Sequence, residues 1–244
     1  MMTDETFDSS ERERLEKQYN EITVLAGGLA HEVRNPLSTI SMNLELLLEE
    51  LETFDSPAAH RMLQKLKTIQ TQCDNLDQIL EAFLQFTRAG ELHLEQMNLE
   101  DVINEFLEFY KAEASEHGID VRPHFQSDIP PVFLDVRLIQ QVLTNLVRNA
   151  QEAMPSGGLL ELQTSCRDNH VVLEIIDTGC GMSPEALDKM FHVFFSTKPT
   201  GSGLGLPTVR KIVEAHGGTI DCESELNRGT KFTLVFPVDR ADRK

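Results

Sequence analysis

The chain has 244 residues, 40% of them hydrophobic, which is enough to fill one large core or two small ones and excludes a disordered tail. Forty acidic residues against 22 basic ones give a formal charge of -18, a field that repels nucleic acid and anionic membranes, and no lysine or arginine run overrides it locally. No apolar run approaches the ~20 residues that cross a bilayer, the opening MMTDETFDSSERER is no targeting segment, and Cys73, Cys166, Cys180 and Cys222 are too widely spaced for a metal knuckle, so a cytoplasmic protein with free thiols, no membrane insertion and no nucleic-acid partner is expected.

In chain order, residues 1–10 read as a polar tail. Leu15, Tyr19, Ile22, Leu25 and Leu29 lead into Val33, Leu37, Ile40, Leu44, Leu47 and Leu51, whose alternating spacings of 4 and 3 predict one helical seam. TFDSPAAH breaks it, with Ser56 as an N-cap and Pro57 at a first helical position. Leu66, Ile69, Cys73, Leu76, Leu80 and Phe83 then repeat the pattern, so residues 11–89 are expected to form an antiparallel helical hairpin. A lone hairpin buries a single seam and is marginal. Two copies associating as a dimeric four-helix bundle complete it, and packing of the hairpin on the second half is the competitor.

With Val33 at zero on a helical wheel, His31 falls near ~160° and Asn35 near ~200°, away from the seam, with Glu32 on the flank beside them. Gly27, Gly28 and Pro36 weaken the helix on both sides of His31, which suggests a hinge there.

Residues 90–97 read as a linker, 98–238 as a second domain and 239–244 as a C-terminal tail. Helical stretches at 99–117, 136–154 and 204–216 alternate with the short runs GIDVRPHF, GLLELQTSC, HVVLEIID, GGTIDCES and TKFTLVFP. Mixed elements of this kind predict a sheet with helices over one face.

Four segments of this domain carry groups suited to a nucleotide. NLVRNAQEA sets Asn145 and Asn149 four apart on one helix face, where amide oxygens suit Mg²⁺ and amide NH₂ groups suit phosphate. DTGCGM closes an apolar strand with Asp177, able to accept from an exocyclic amine, followed by Gly179 and Gly181 in a tight turn. FFSTKPTGSGLGLPTV places Lys198, Gly201, Gly203, Leu204 and Gly205 ahead of a helix, and free N–H groups at such an N-terminus attract phosphate. RGTKFTLVFP puts Thr230 at the entry of a strand. Each segment alone is weak: a solvated face explains the first better, and an ordinary strand-ending turn the second.

Together, in this order and behind a histidine-bearing hairpin, they resemble the bacterial two-component histidine kinases over roughly residues 15–238, in a style closest to the soluble NtrB-like branch. HEVRNPL resembles the phospho-acceptor H box, NLVRNAQEA the N box, DTGCGM the G1 box, FHVFFSTK the F box and GSGLGL the G2 box. The resemblance implies an α+β multidomain chain: a dimerisation and histidine-phosphotransfer hairpin followed by an α/β sandwich of the GHKL ATPase type. It also implies Asn149 at Mg²⁺, Asn145 against the phosphates, Asp177 on the adenine amine with Thr230 nearby through water, and Gly179 and Gly181 shaping the pocket. Lys198 would reach the terminal phosphate, Gly203 with Gly205 would anchor the ATP lid, and Gly201 and Leu204 beside them would also belong to the nucleotide site. Two positions depart from the family: Glu152 stands where many members carry a basic residue, and His192 with Val193 replaces an acidic-proline pair.

The expected activity is ATP-dependent autophosphorylation of His31, with Glu32 as the general base that takes one imidazole N–H and sharpens the other nitrogen. The resemblance implies transfer onward to an aspartate of a response regulator receiver domain, Asn35 positioning water for the reverse hydrolysis, and input from an upstream sensor protein. A GHKL-type ATP hydrolase or conformational clamp is the alternative, along with a non-catalytic scaffold. Hydrolases of this fold carry a glutamate where this chain has Asn145, which disfavours water activation.

Overall fold

The structure, a computed structural model, describes residues 5–54, 56–88, 92–198 and 201–239, without the side chains of 5–26 and 31. Its contacts divide the chain into two compact units, 1–88 and 89–244.

The first unit is a pair of helices, α1 (Glu5–Glu52) and α2 (Pro57–Arg88). The polar tail expected over 1–10 is already helical from Glu5, where α1 begins. The Ser56 hydroxyl accepts the Ala59 N–H at 3.1 Å and Pro57 opens α2, a cap legible in the sequence. Leu44 of α1 packs with Leu66 and Cys73, and Arg34 reaches the later Asp77 and Glu81, at 3.1 and 2.7 Å, so the two helices run antiparallel. α1 passes through Gly27, Gly28 and Pro36 without interruption, and a Cβ at either glycine would meet nothing within 4 Å.

The single seam expected on α1 resolves into two rows. Leu37 and Leu44 are buried against α2, whereas Val33, Ile40 and Leu47 remain 43%, 48% and 45% exposed. A 4-3 alternation is two interleaved seven-residue rows on adjoining faces, and one neighbouring helix covers only one of them. Ile69 and Leu76 are open on α2 in the same way.

The second unit contains α3 (Leu99–Glu116), α4 (Val136–Ala153), the short α5 (Pro184–Lys189) and α6 (Gly205–Ala215). Its strands are β1 (Glu95–Met97), β2 (Ile119–Phe125), β3 (Val132–Leu134), β4 (Gly158–Arg167), β5 (His170–Asp177), β6 (Thr219–Glu225) and β7 (Gly229–Pro237). The main sheet has the order β2-β4-β5-β7-β6, with β2 parallel to β4 and every other pair antiparallel. Part of the segment 90–97, expected as linker, is instead strand: β1 pairs antiparallel with β3. Three-residue strands are too short for an alternation to register in the sequence.

Strand period and register explain where the core sits. Leu160 and Leu162 of β4, Val171, Leu173 and Ile175 of β5, and Phe232, Leu234 and Phe236 of β7 alternate along their strands, pair across them and are buried with the apolar stripes of α3, α4 and α6. Each such side chain contributes about 1.5–3 kcal/mol by leaving water. Among the described residues no helix is long and apolar enough to cross a membrane, and all four cysteines are free.

A polar junction ties the ends of α4 and α6. The Asp135 carboxylate caps α4 by accepting the Leu138 N–H at 3.1 Å and also takes the His93 N–H at 2.9 Å. Its own backbone N–H donates to His216 Nε2 at 3.0 Å, while His216 Nδ1 lies 2.7 Å from the Ile212 carbonyl. An imidazole that accepts at Nε2 must carry its proton on Nδ1 and be neutral. Burial holds the His216 pKa below the ordinary histidine value, against the Ile212 carbonyl and the Asp135 charge. With a folded pKa below the unfolded one, the contribution of His216 is complete above about pH 6.5, the unfolded value, and is lost as pH falls from there through the lower folded value. Thermal melts between pH 5 and 8 should therefore show an acid-side loss of stability that His216→Gln flattens; parallel curves for both proteins would refute it.

Candidate functional site

Helix α4 is the spine of the site. Its buried positions, Leu138, Ile139, Val142, Leu143, Leu146, Val147 and Ala150, form one broad apolar face. Asn145, Asn149 and Glu152 are therefore left together on the other side, three and four residues apart. Asn145 Nδ2 donates to the Gln141 carbonyl at 3.0 Å, which leaves its Oδ1 pointing at the start of α6: a Cβ on Gly205 would stand 3.1 Å from that oxygen. The N-cap of α6, Leu204, is fully buried and supplies no side-chain hydrogen bond. The first N–H groups of α6 thus stay available beside Asn145, at the positive end of the helix dipole.

One turn further along α4, Lys198 arrives from the segment before α6. Its Nζ donates to Asn149 Oδ1 at 2.9 Å and forms a short ion pair with Glu152. Arg148 Nε meets the same carboxylate at 3.1 Å. Burial raises the Glu152 carboxyl, but Lys198 and Arg148 outweigh it and hold it below the usual carboxylate range. The loop carrying Lys198 is closed at its base, where the Phe194 N–H donates to the Gly203 carbonyl at 3.0 Å. Gly203 has φ +66, and a Cβ there would stand 2.4 Å from the Phe194 carbonyl carbon, so only glycine fits. Gly201 packs against the Ser196 hydroxyl instead.

The C-terminal end of α4 holds the DTGCGM loop. Cys180 N–H donates to the Ala153 carbonyl at 3.0 Å, and a Cβ on Gly179 would lie 2.6 Å from that of Ala153. Asp177 ends the same inward row as Leu173 and Ile175, so the period of β5 places a carboxylate on the core side of the sheet, 6% exposed. Burial pushes its pKa up, against backbone donors at Gly179, 2.8 Å from Oδ1, and Thr230. Thr230 is its cross-strand partner in β7. A buried carboxylate with few donors can take an amine hydrogen bond from a ligand. Beside it, burial foremost and then the Asp177 charge push the Cys222 thiol up to about 12, which makes it inert at neutral pH.

Two supporting residues escaped the sequence reading. Gly229, φ +109, passes so close to Asp177 that a Cβ would stand 1.9 Å from the Asp177 carbonyl oxygen; its position directly before Thr230 in RGT is the available signal. Ser224 Oγ accepts the Met182 N–H at 2.9 Å and lies 3.0 Å from the Thr230 hydroxyl, a role nothing in the sequence announces.

Asn145, Asn149, Asp177, Gly179, Lys198, Gly205 and Thr230 are thus brought together along α4. Glu32 and Asn35 lie exposed on α1 in the other unit, where the Asn35 carbonyl accepts the Thr39 hydroxyl at 3.1 Å. His31 is helical in its backbone, and its side chain lies outside the described residues.

Residues 21–92 match the family model described as the His Kinase A (phospho-acceptor) domain, and residues 134–240 that of the Histidine kinase-, DNA gyrase B-, and HSP90-like ATPase. The sensor histidine kinase ZraS of Klebsiella oxytoca is 34% identical over 216 residues, 88% of this chain and 46% of that protein. The chain thus spans about half the length of the curated relatives it matches. Among solved structures, full-length ShkA in complex with AMPPNP superposes with a TM-score of 0.68 at 28% identity, over 88% of this chain and 46% of that one. The catalytic domain of histidine kinase ThkA superposes with a TM-score of 0.56 at 31% identity, over 60% of this chain and 97% of that one.

Proposed function

Because the chain belongs to the two-component sensor histidine kinases, we propose that it phosphorylates His31 from ATP and passes the phosphoryl group to an aspartate of a separate response regulator. The observation that carries this reading is the convergence on the C-terminal half of α4 of an amine acceptor just beyond its last residue and, over the turns from Asn145 to Glu152 before it, of two amides, an ammonium and an uncapped helix N-terminus. An adenine and a chain of phosphates have those needs in that order.

Asp177 accepts the adenine amine, with Thr230 beside it through water, and Gly179 and Gly181 shape the pocket. Asn145 and the N–H groups at the start of α6 cradle the phosphates, Gly203 with Gly205 anchors the lid, Gly201 and Leu204 belong to the same nucleotide site, and Lys198 takes the terminal phosphate. Asn149 Oδ1 is a hard oxygen that fits Mg²⁺. When bound, Mg²⁺ neutralises phosphate charge. Glu32 accepts one N–H of the His31 imidazole, and the other nitrogen attacks the γ-phosphorus in line. The new N–P bond forms as the bond to the bridging oxygen breaks, and ADP leaves with that oxygen's electron pair. Asn35 positions water for dephosphorylating the regulator.

The open rows of α1 and α2 pair with those of a second copy in a four-helix bundle, and an upstream sensor protein supplies the signal to this cytoplasmic kinase core. Hydrolysis as the primary activity lacks the carboxylate that would activate water at the position of Asn145.

The test is incubation with γ-labelled ATP and Mg²⁺. Acid-labile, base-stable label on the protein supports the reading; steady phosphate release without label overturns it. Asn149→Ala is expected to remove most of the gain in ADP affinity that Mg²⁺ gives, read by titration calorimetry with and without the metal. An unchanged gain would take Asn149 out of the metal site.

A further inference from the structure

One ammonium holds two oxygens of α4. Lys198 Nζ donates to Asn149 Oδ1 at 2.9 Å and to the Glu152 carboxylate, three residues further along the same face. An amide oxygen and a carboxylate oxygen that share one monovalent cation are hard donors converging on one point, which is what a divalent cation asks of a protein. Arg148, 3.1 Å from the other carboxylate oxygen, fixes the direction in which Glu152 presents the first. Among the described residues no group of three or more histidine, cysteine, aspartate or glutamate side chains could hold a metal. A cation on this helix would thus have few protein ligands, and Mg²⁺ in nucleotide sites takes one or two side-chain oxygens and completes its shell with phosphate and water.

We propose that Glu152 is a second protein ligand of the nucleotide's Mg²⁺ and that the Lys198 ammonium keeps the metal's place until MgATP arrives. The proposal rests on the reading of α4 as the nucleotide site with Asn149 at the metal. The same two oxygens cannot hold an ammonium and Mg²⁺ together, because the two cations repel at contact distance. The arriving metal therefore releases Lys198, and the terminal phosphate is the anion ready to receive it. Lys198 and Glu152 are 40% and 38% exposed, so their pairing is screened by solvent and yields readily to a stronger partner. The lysine stem is long enough for its head to move while its backbone stays in place. Metal entry and phosphate capture become one exchange. The acidic residue at 152, where relatives were expected to be basic, then has a function that a lysine or arginine could not perform.

The test uses the full chain, with ADP and either Mg²⁺ in titration calorimetry or Mn²⁺ in electron paramagnetic resonance. Glu152→Gln keeps the shape of the side chain and removes its charge. It should bind metal-free ADP at least as well as wild type while the metal-dependent gain in affinity falls roughly tenfold, as a hard-cation site does when it loses an anionic ligand. Lys198→Met should tighten Mn²⁺ in the ADP complex, where no terminal phosphate is present to need the lysine. If Glu152→Gln keeps the full metal-dependent gain, Glu152 is only the partner of Lys198 and the ligand assignment is overturned. If Lys198→Met leaves Mn²⁺ affinity unchanged, the place-holding assignment is overturned. An Asn149→Ala protein that loses the gain beside a Glu152→Gln protein that keeps it sinks this proposal alone, whereas a wild type without any metal-dependent gain removes the underlying reading as well.

Discussion

His31→Gln is expected to take labelling by γ-labelled ATP to background, more than about 10³-fold below wild type, because a glutamine amide offers no nitrogen lone pair for attack on phosphorus. ADP affinity should not change, since His31 belongs to the first unit and the nucleotide groups to the second. Glu32→Gln separates the acceptor from its base: label should still appear, more slowly by roughly 10²–10⁴-fold, the usual effect of a removed general base. Label that persists in His31→Gln would move the acceptor elsewhere. An Asn35→Ala protein should label normally, because Asn35 is assigned to the reverse hydrolysis.

The second large effect is expected at Asp177. Asp177→Asn should weaken ADP binding by about 100-fold, because an NH₂ group then confronts the adenine amine and a hydrogen bond to a charged acceptor is lost. Stability should hold or rise. The Asp177 carboxylate is charged at a cost, with burial pushing its pKa up, and an asparagine oxygen can still accept from the Gly179 and Thr230 N–H groups. Calorimetry and thermal melts on the same samples check the pair. Lost binding together with a lower melting temperature would mean that the residue is structural, and retained binding would place the adenine elsewhere. A site that improves function at the expense of stability behaves in the way proposed for Asp177.

How far these groups could be read in advance depended on sequence distance. Asp177 was legible because its neighbours Leu173 and Ile175 declare the period of β5, and Asn145 and Asn149 because α4 has a broad, regular apolar face. The cap at Ser56–Pro57 was equally local. The link between Lys198 and Glu152 was not, since it joins residues 46 apart and no periodicity connects them. Glu152 stood out only as a departure from an expected basic residue. The strands β1 and β3 were too short to leave a pattern. α5, by contrast, carried a usable signal in Ser183 and Pro184, whose hydroxyl and ring open the helix as a cap and first residue.

The open apolar rows of the hairpin have a consequence for how the protein responds to dilution. Val33, Ile40 and Leu47 on α1 and Ile69 and Leu76 on α2 are only partly covered, and their open surface adds nothing to folding until another surface covers it. If a second copy does so, as the proposed four-helix bundle requires, the helices gain stability by mass action, and their melting temperature should rise with the logarithm of protein concentration. The sheet unit carries its own core and should melt at one temperature whatever the concentration. In the proposed dimer a single chain would have two kinds of stability, one intrinsic and one set by how many copies a cell makes.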